Sequence, residues 1–203
     1  MSNFKTPPRI VRGNPPAKPI KRRKHRDCLP ELVRDFGGRC AYSMQHYLKG
    51  GGIKCLEVDH FDPAQKNDLI QRYENLNPAT RHCNGAKRNR WPSKADQKLG
   101  IRFLNPSEES DYGSHIFEDS KTHKVFGITP AGIYQVRNCD LNAEHLVFER
   151  KERAEHWADF RSQQVSVKKG TPIETVLDAF QQLKKRVELM IPEITYRIPP
   201  VPL

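Results

Sequence analysis

Leu56-Glu57-Val58-Asp59-His60, then Glu74-Asn75-Leu76, then His82-Cys83-Asn84-Gly85-Ala86-Lys87 are the most informative pieces of this sequence. From Lys54 to Phe61 the residues alternate, with Cys55, Glu57 and Asp59 on one face and Leu56, Val58 and His60 on the other. That period of two predicts a strand. Leu76 to Thr80 is a candidate second strand, the polar segment from Pro63 to Glu74 reads as a loop, and a helix is expected from about His82 to Arg90, with Pro92 to end it. The local prediction is therefore strand, loop, strand, helix.

The residue types in this unit carry a specific chemistry. Asp59 and His60 are neighbours at a strand end, so their side chains diverge. One can hold a metal while the other faces a substrate. Asn84 opens the helix, where its amide oxygen can complete an oxygen-rich site. A carboxylate, an amide oxygen and water suit Mg²⁺, or Mn²⁺ in its place. A neutral histidine beside such an ion can take a proton from water near pH 7. These are the parts needed to hydrolyse a phosphodiester.

Upstream, Leu29, Leu32, Val33 and Phe36 stand at helical spacing before Gly37-Gly38. Arg39-Cys40-Ala41-Tyr42-Ser43 reads as a tight knuckle and Gly50-Gly51-Gly52 as a loop. Downstream, Ile116–Glu118, Val125–Ile128 and Ile133–Val136 read as small β elements, with a turn at Pro130-Ala131-Gly132. Helices are expected over about 142–164 and 172–191. The second carries Ile173, Val176, Leu177, Phe180, Leu183, Val187 and Met190 on one stripe and a capping box at Thr171/Glu174. The fold class is α+β: a ββα core, a small β insertion and C-terminal helices. The divisions are a basic Pro-rich arm over 1–26, a domain over 27–140 and a helical extension over 141–203.

The 203-residue chain has a net charge of +11. Residues 1–26 hold nine Lys/Arg (Lys5, Arg9, Arg12, Lys18, Lys21, Arg22, Arg23, Lys24, Arg26) and no acid. With 35 basic and 24 acidic residues in all, the remainder has 26 against 24, about +2. Pro7, Pro8, Pro15, Pro16 and Pro19 favour an extended arm. Such an arm suits a phosphate backbone, and reads equally as a solvated tail that only aids solubility. No run of about 18 apolar residues is present, so no membrane span is expected. The first residues lack an apolar segment, so the expected location is the cytoplasm. Five irregularly spaced cysteines do not suggest a disulfide framework. Trp91 reads as a core aromatic, and Cys28 and Cys139 as buried thiols.

The Asp59-His60, Asn75 and Asn84 set resembles the HNH endonuclease family, whose fold is the ββα-metal unit, in its His-Asn-Asn variant. The resemblance implies that His60 activates water, that Asp59 and Asn84 hold one divalent ion, and that Asn75 orients His60 by bonding backbone across the ββ turn. It implies substrate contacts from Lys87, with Arg81, Arg88 and Arg90 on the same basic stretch. Glu57 would support the metal or ligate it. DNA is the implied substrate, RNA less often. Many members bind zinc with two Cys-x-x-Cys knuckles. Here those positions read Cys40-Ala41-Tyr42-Ser43 and Thr80-Arg81-His82-Cys83, each short of one cysteine, so a four-thiolate structural zinc is not expected. The C-terminal part is similar to bacterial HNH proteins that serve as effectors of anti-phage systems under the control of an ATPase partner. A second class of function is a non-catalytic nucleic-acid-binding or assembly subunit that keeps the fold.

Overall fold

The computed structural model describes residues 10–15, 25–63, 72–108, 114–162, 170 and 172–194. The remainder of the basic arm, the loop 64–71, Asp111-Tyr112-Gly113, Thr171 and the Pro-rich tail lie outside the described residues.

The protein is a mixed α+β structure. Helix α1 (Leu29–Asp35) has Pro30 in its first turn, where the missing N–H costs nothing. A knuckle follows. Arg39 bridges His46, Cys40 N donates to Gln45 O at 2.9 Å, and Met44 N donates to Cys40 O at 3.1 Å. Strands β1 (Leu56–His60) and β2 (Leu76–Thr80) pair antiparallel, with Leu56 opposite Thr80 and His60 opposite Leu76. Pro78 is tolerated because this sheet has only two strands. Its carbonyl accepts from Ala41 N at 2.8 Å, which fastens the knuckle to the sheet.

Thr80 ends β2 and caps helix α2 (Arg81–Lys87), its side chain accepting from Cys83 N. A short helix α3 (Lys94–Lys98) starts with a complete capping box between Ser93 and Asp96. Strands β3 (Ile116–Glu118) and β4 (Val125–Gly127) form a second antiparallel pair. The segment Ile133–Val136, expected as β, is instead part of helix α4 (Pro130–Asn138). Thr129 caps it and Pro130 occupies its first turn, so the residues read as a turn are a helix start. Gly132 is required there. A Cβ on it would stand 2.1 Å from His115 O, and one on Gly127 would stand 2.0 Å from Ile133 N. Helices α5 (Glu144–Ser162) and α6 (Ile173–Ile194) follow, near the expected bounds.

Two apolar clusters build the body. One joins Cys40, Tyr42, Leu56, Ala79 and Cys83 to Phe103, Leu104, Val125, Ala131 and Leu141. The other joins Ile10, Leu32, Phe36, Val58, Tyr73 and Leu76. The first ties β1–β2–α2 to the downstream β3–β4–α4 unit; the second ties it to α1. Within the stretch read as an arm, Ile10 is buried and Arg12 is docked. The Arg12 guanidinium donates to Tyr73 O, Leu76 O, Asn77 Oδ1 and Ser107 Oγ, and it lies over the Phe36 and Tyr73 rings.

Helix α5 is anchored by charge as well as packing. Arg153 meets Glu118 at 2.8 Å, Arg150 donates to the His123 and Leu141 carbonyls, and Glu149 accepts from Gln45 of the knuckle. Asn142 brackets Val125 with two bonds to its backbone, extending the β4 ladder through a side chain. No helix among the described residues is long and apolar enough to cross a membrane.

Candidate active site

The β1–β2 hairpin and α2 share one cleft of about 410 Å³ lined by Glu57, Val58, Asp59, His60, Pro63, Arg81, Asn84, Gly85, Arg88 and Asn89. Six residues singled out from sequence therefore meet in one place: Glu57, Asp59, His60, Asn84, Arg81 and Arg88. Strand β1 delivers the carboxylates and the imidazole. Helix α2, capped by Thr80, delivers the amide and the arginines.

Asn75 lies beneath this cleft. Its amide accepts from Asp62 N at 2.8 Å and donates to Asp62 O at 3.1 Å, while its own carbonyl accepts from Phe61 N at 2.7 Å. Three bonds thus fix the chain just past His60. The His60 carbonyl is held as well, accepting from Lys87 Nζ at 2.8 Å. The His60 ring packs at 4.9 Å from the ring of His25, which arrives from the 3₁₀ turn His25–Cys28. The imidazole is thus positioned through its backbone on both sides and by a second ring.

Lys87 is placed otherwise than expected. It is wholly buried, at 0% side-chain exposure, with its ammonium 3.0 Å from Asp59 Oδ2 and 3.1 Å from Oδ1. It cannot reach a phosphate from there. Its ammonium lies over the Tyr42 and Phe103 rings, 5.9 and 5.4 Å from their centroids. Asp59, 5% exposed, also accepts a short hydrogen bond from the Tyr42 hydroxyl. Burial pushes the Asp59 carboxyl above its usual range, outweighing the opposite pull of Lys87 and Tyr42. Burial and the adjacent Asp59 charge push the Tyr42 hydroxyl up as well.

Glu57 is the more open carboxylate, with its side chain 39% exposed. It accepts from Asn84 Nδ2 at 2.8 Å and pairs with Arg81 at 3.3 Å. The Asn84 bond uses the amide nitrogen, which leaves its carbonyl oxygen for a cation. Asp59 and Asn84 thus line one cleft, but each is bonded to a different partner. Arg88 takes up φ 50° at the end of α2 and donates to Gly85 O. Arg90 departs from the group. It donates to Ala86 O and lines a separate hollow with Ile101, Pro130, Tyr134 and Arg137.

Sequence reasoning missed Tyr42 and His25. Tyr42 had no signal beyond its place in the knuckle, and His25 sat in a stretch read as an arm.

The knuckle positions converge on the Cys40 sulfur. Cys40 Sγ accepts from Tyr42 N and Ser43 N, both at 3.5 Å, and from Thr80 Oγ1 at 3.7 Å. Burial opposes a charge on Cys40, but these donors and Cys83 pull its pKa down. Cys83, donating to that sulfur and itself buried, is pushed up. No group of three or more His, Cys, Asp or Glu with metal-binding geometry occurs among the described residues.

A larger hollow of about 870 Å³ lies on the other side of Arg81, lined by Lys49, Lys54, His82, His145 and Phe148. It also carries Glu144, Glu149 and Glu152. There Glu152 pairs with Lys49 at 3.9 Å and Glu149 accepts from Gln45 at 2.8 Å. Comparisons with protein-family profiles, curated proteins and solved structures return no match.

Proposed function

We propose that this protein is a metal-dependent phosphodiesterase of the HNH type, acting on DNA, with the β1–β2–α2 unit as its ββα-metal core. The observation that carries the reading is the cleft itself. A histidine held through its own backbone stands beside three oxygen-bearing side chains, Glu57, Asp59 and Asn84, under a rim of Arg81 and Arg88. This oxygen set suits a hard cation, Mg²⁺ or Mn²⁺. Asp59 and Asn84 would hold it, with Glu57 able to join once Asn84 releases it. Bound there, the ion would stabilise charge on the phosphate and on the leaving oxygen.

The chain's own residues do the rest. His60 takes the proton from the attacking water, and the bonds from Lys87 to its carbonyl and from Asn75 just beyond keep the ring in place. Arg81 and Arg88 attract and orient the phosphate. The basic residues of the N-terminal segment add affinity that does not depend on sequence and weakens with salt. In this reading an ATPase partner gates the nuclease as part of an anti-phage system, which fits a small domain with helices to spare.

A second reading has its own observation. Both Asp59 oxygens already face Lys87 and Tyr42, so the site is self-satisfied without an ion. A non-catalytic nucleic-acid-binding subunit would tolerate that arrangement.

Incubating the protein with supercoiled plasmid and Mg²⁺ or Mn²⁺ separates the two. The nuclease reading expects nicking or linearisation that falls at least about a hundredfold in His60→Ala. Retarded plasmid that stays supercoiled, equally with wild type and His60→Ala, would support the second reading and remove the first.

A further inference from the structure

Helix α6 carries a pattern that the candidate site does not use. Counting from Ile173, residues seven apart are Ile173, Phe180, Val187 and Ile194, and those three further on are Val176, Leu183 and Met190. All seven are apolar. This is an unbroken a/d heptad over three turns of the repeat, within one helix running from Ile173 to Ile194. Leu177 and Ile191 flank this repeat at the e position, and an a/d repeat kept up over three heptads is the pattern of a coiled-coil seam.

The first half of the seam is open: Ile173 is 74% and Phe180 64% exposed, and Leu177 beside them is 53% exposed, while Val176 and Leu183 are half-buried.

The composition of the seam selects the occupant. Three of the four a residues are β-branched (Ile173, Val187 and Ile194), and two of the three d residues, Leu183 and Met190, are not. That distribution favours two parallel strands. Charge allows the partner to be identical. The helix holds Glu174, Asp178, Glu188 and Glu193 against Lys184, Lys185 and Arg186, a net of −1, so two copies hardly repel. Pro192 falls on the outer face of the repeat, away from the seam.

From these observations we infer that α6 pairs with α6 of a second copy of this chain as a parallel two-stranded coiled coil. Fourteen seam side chains cover roughly 1,000 Å², the lower end of what a specific interface needs. The dimer is therefore concentration-dependent. It tolerates salt, since its seam is apolar while the rest of the chain carries the excess positive charge.

Sedimentation velocity on the full chain tests this, from about 1 to about 100 μM in about 0.5 M salt, which removes bound nucleic acid. The expected result is a mass rising from one chain to two. Phe180→Glu and Leu183→Glu should each weaken association about a hundredfold or more, because every dimer loses the anchor twice. Gln181→Glu, on the outer face, should leave it unchanged. The circular-dichroism spectrum of each variant, taken at the lowest concentration, should match wild type. A wild type that stays monomeric at all concentrations would overturn the inference and leave the seam to a different chain. So would a dimer that survives both seam variants, or one that the outer-face variant also abolishes.

Discussion

Lys87 and Asp59 form a buried ion pair, with Nζ 3.0 Å from Oδ2, across the interface between α2 and β1. The same ammonium binds the His60 carbonyl, so one residue links the helix to the strand that carries the candidate base. Replacing Lys87 with Met removes a buried cation and leaves the Asp59 carboxyl with Tyr42 as its remaining bonded partner. Breaking one side of such a pair costs about 3–5 kcal/mol. Urea unfolding of Lys87→Met should show a loss of that size, and Lys87→Met with Asp59→Asn should recover part of it. A loss below about 1 kcal/mol would mean the pair is not what joins α2 to β1.

Arg12 makes a second prediction, at a place the sequence pointed away from. Its guanidinium satisfies two β2-side carbonyls, Asn77 and Ser107, and lies over two aromatic rings. Arg12→Ala should cost about 2 kcal/mol, through unpaired acceptors and lost packing. Arg12→Lys should restore less than half, because a point ammonium cannot serve the same fork of acceptors. Equal stability of wild type and Arg12→Ala in thermal or urea melts would show that this segment is not part of the folded body.

The α+β class and the order of β1, β2 and α2 were legible because alternation is a local signal, but the end of α2 was not: the helix stops at Lys87, where Arg88 turns to φ 50°, and not at Arg90 before Pro92. Clustering of Asp59, His60 and Asn84 in one cleft was legible for the same reason: a short hairpin and the helix after it leave little freedom. The Lys87–Asp59 pair was not legible. Helical spacing put Lys87 with its basic neighbours, and only the packing of Tyr42 and Phe103 turns it inward. Helix α4 was misread because Ile133, Tyr134 and Val136 have strand-like side chains, while Thr129 and Pro130, a cap and a first-turn proline, gave the better signal. Arg12 was misread because its partners lie 61 to 95 residues away.

Acid should destabilise the protein through two histidines. Burial lowers the pKa of His145, with His82 adding to it, and burial followed by the Arg39 charge lowers that of His46. The folded values lie below the unfolded 6.5, so the unfolded chain binds more protons between them. This contribution is complete above the unfolded value and is lost as pH falls through the folded values. The urea midpoint should stay level above about pH 7 and decline as pH falls below the unfolded value. His46→Gln with His145→Gln should flatten that decline. A decline of the same steepness in the double variant would place the effect in other groups.

The knuckle offers a test by construction. Sulfurs bound to zinc at about 2.3 Å stand about 3.8 Å apart in a tetrahedron. Thr80 Oγ1 is 3.7 Å from Cys40 Sγ, and Thr80 and Cys83 are joined at the start of α2. Ser43 closes the same turn through its N–H to Cys40. The backbone thus gathers the four positions, with the Cys40–Thr80 pair at the spacing of a zinc site, while two of the side chains are hydroxyls. Ser43→Cys with Thr80→Cys should bind one Zn²⁺ per chain and melt higher with the metal than wild type. Without metal the variant should be less stable by about 1 kcal/mol, from the lost Thr80 cap. Structural zinc sites supply on the order of 10 kcal/mol, so the metal should outweigh that loss. If the double variant bound no more zinc than wild type in a colorimetric release assay, the geometric match would be accidental. Hydrogen bonding to Cys40 would then be the arrangement this knuckle is built for.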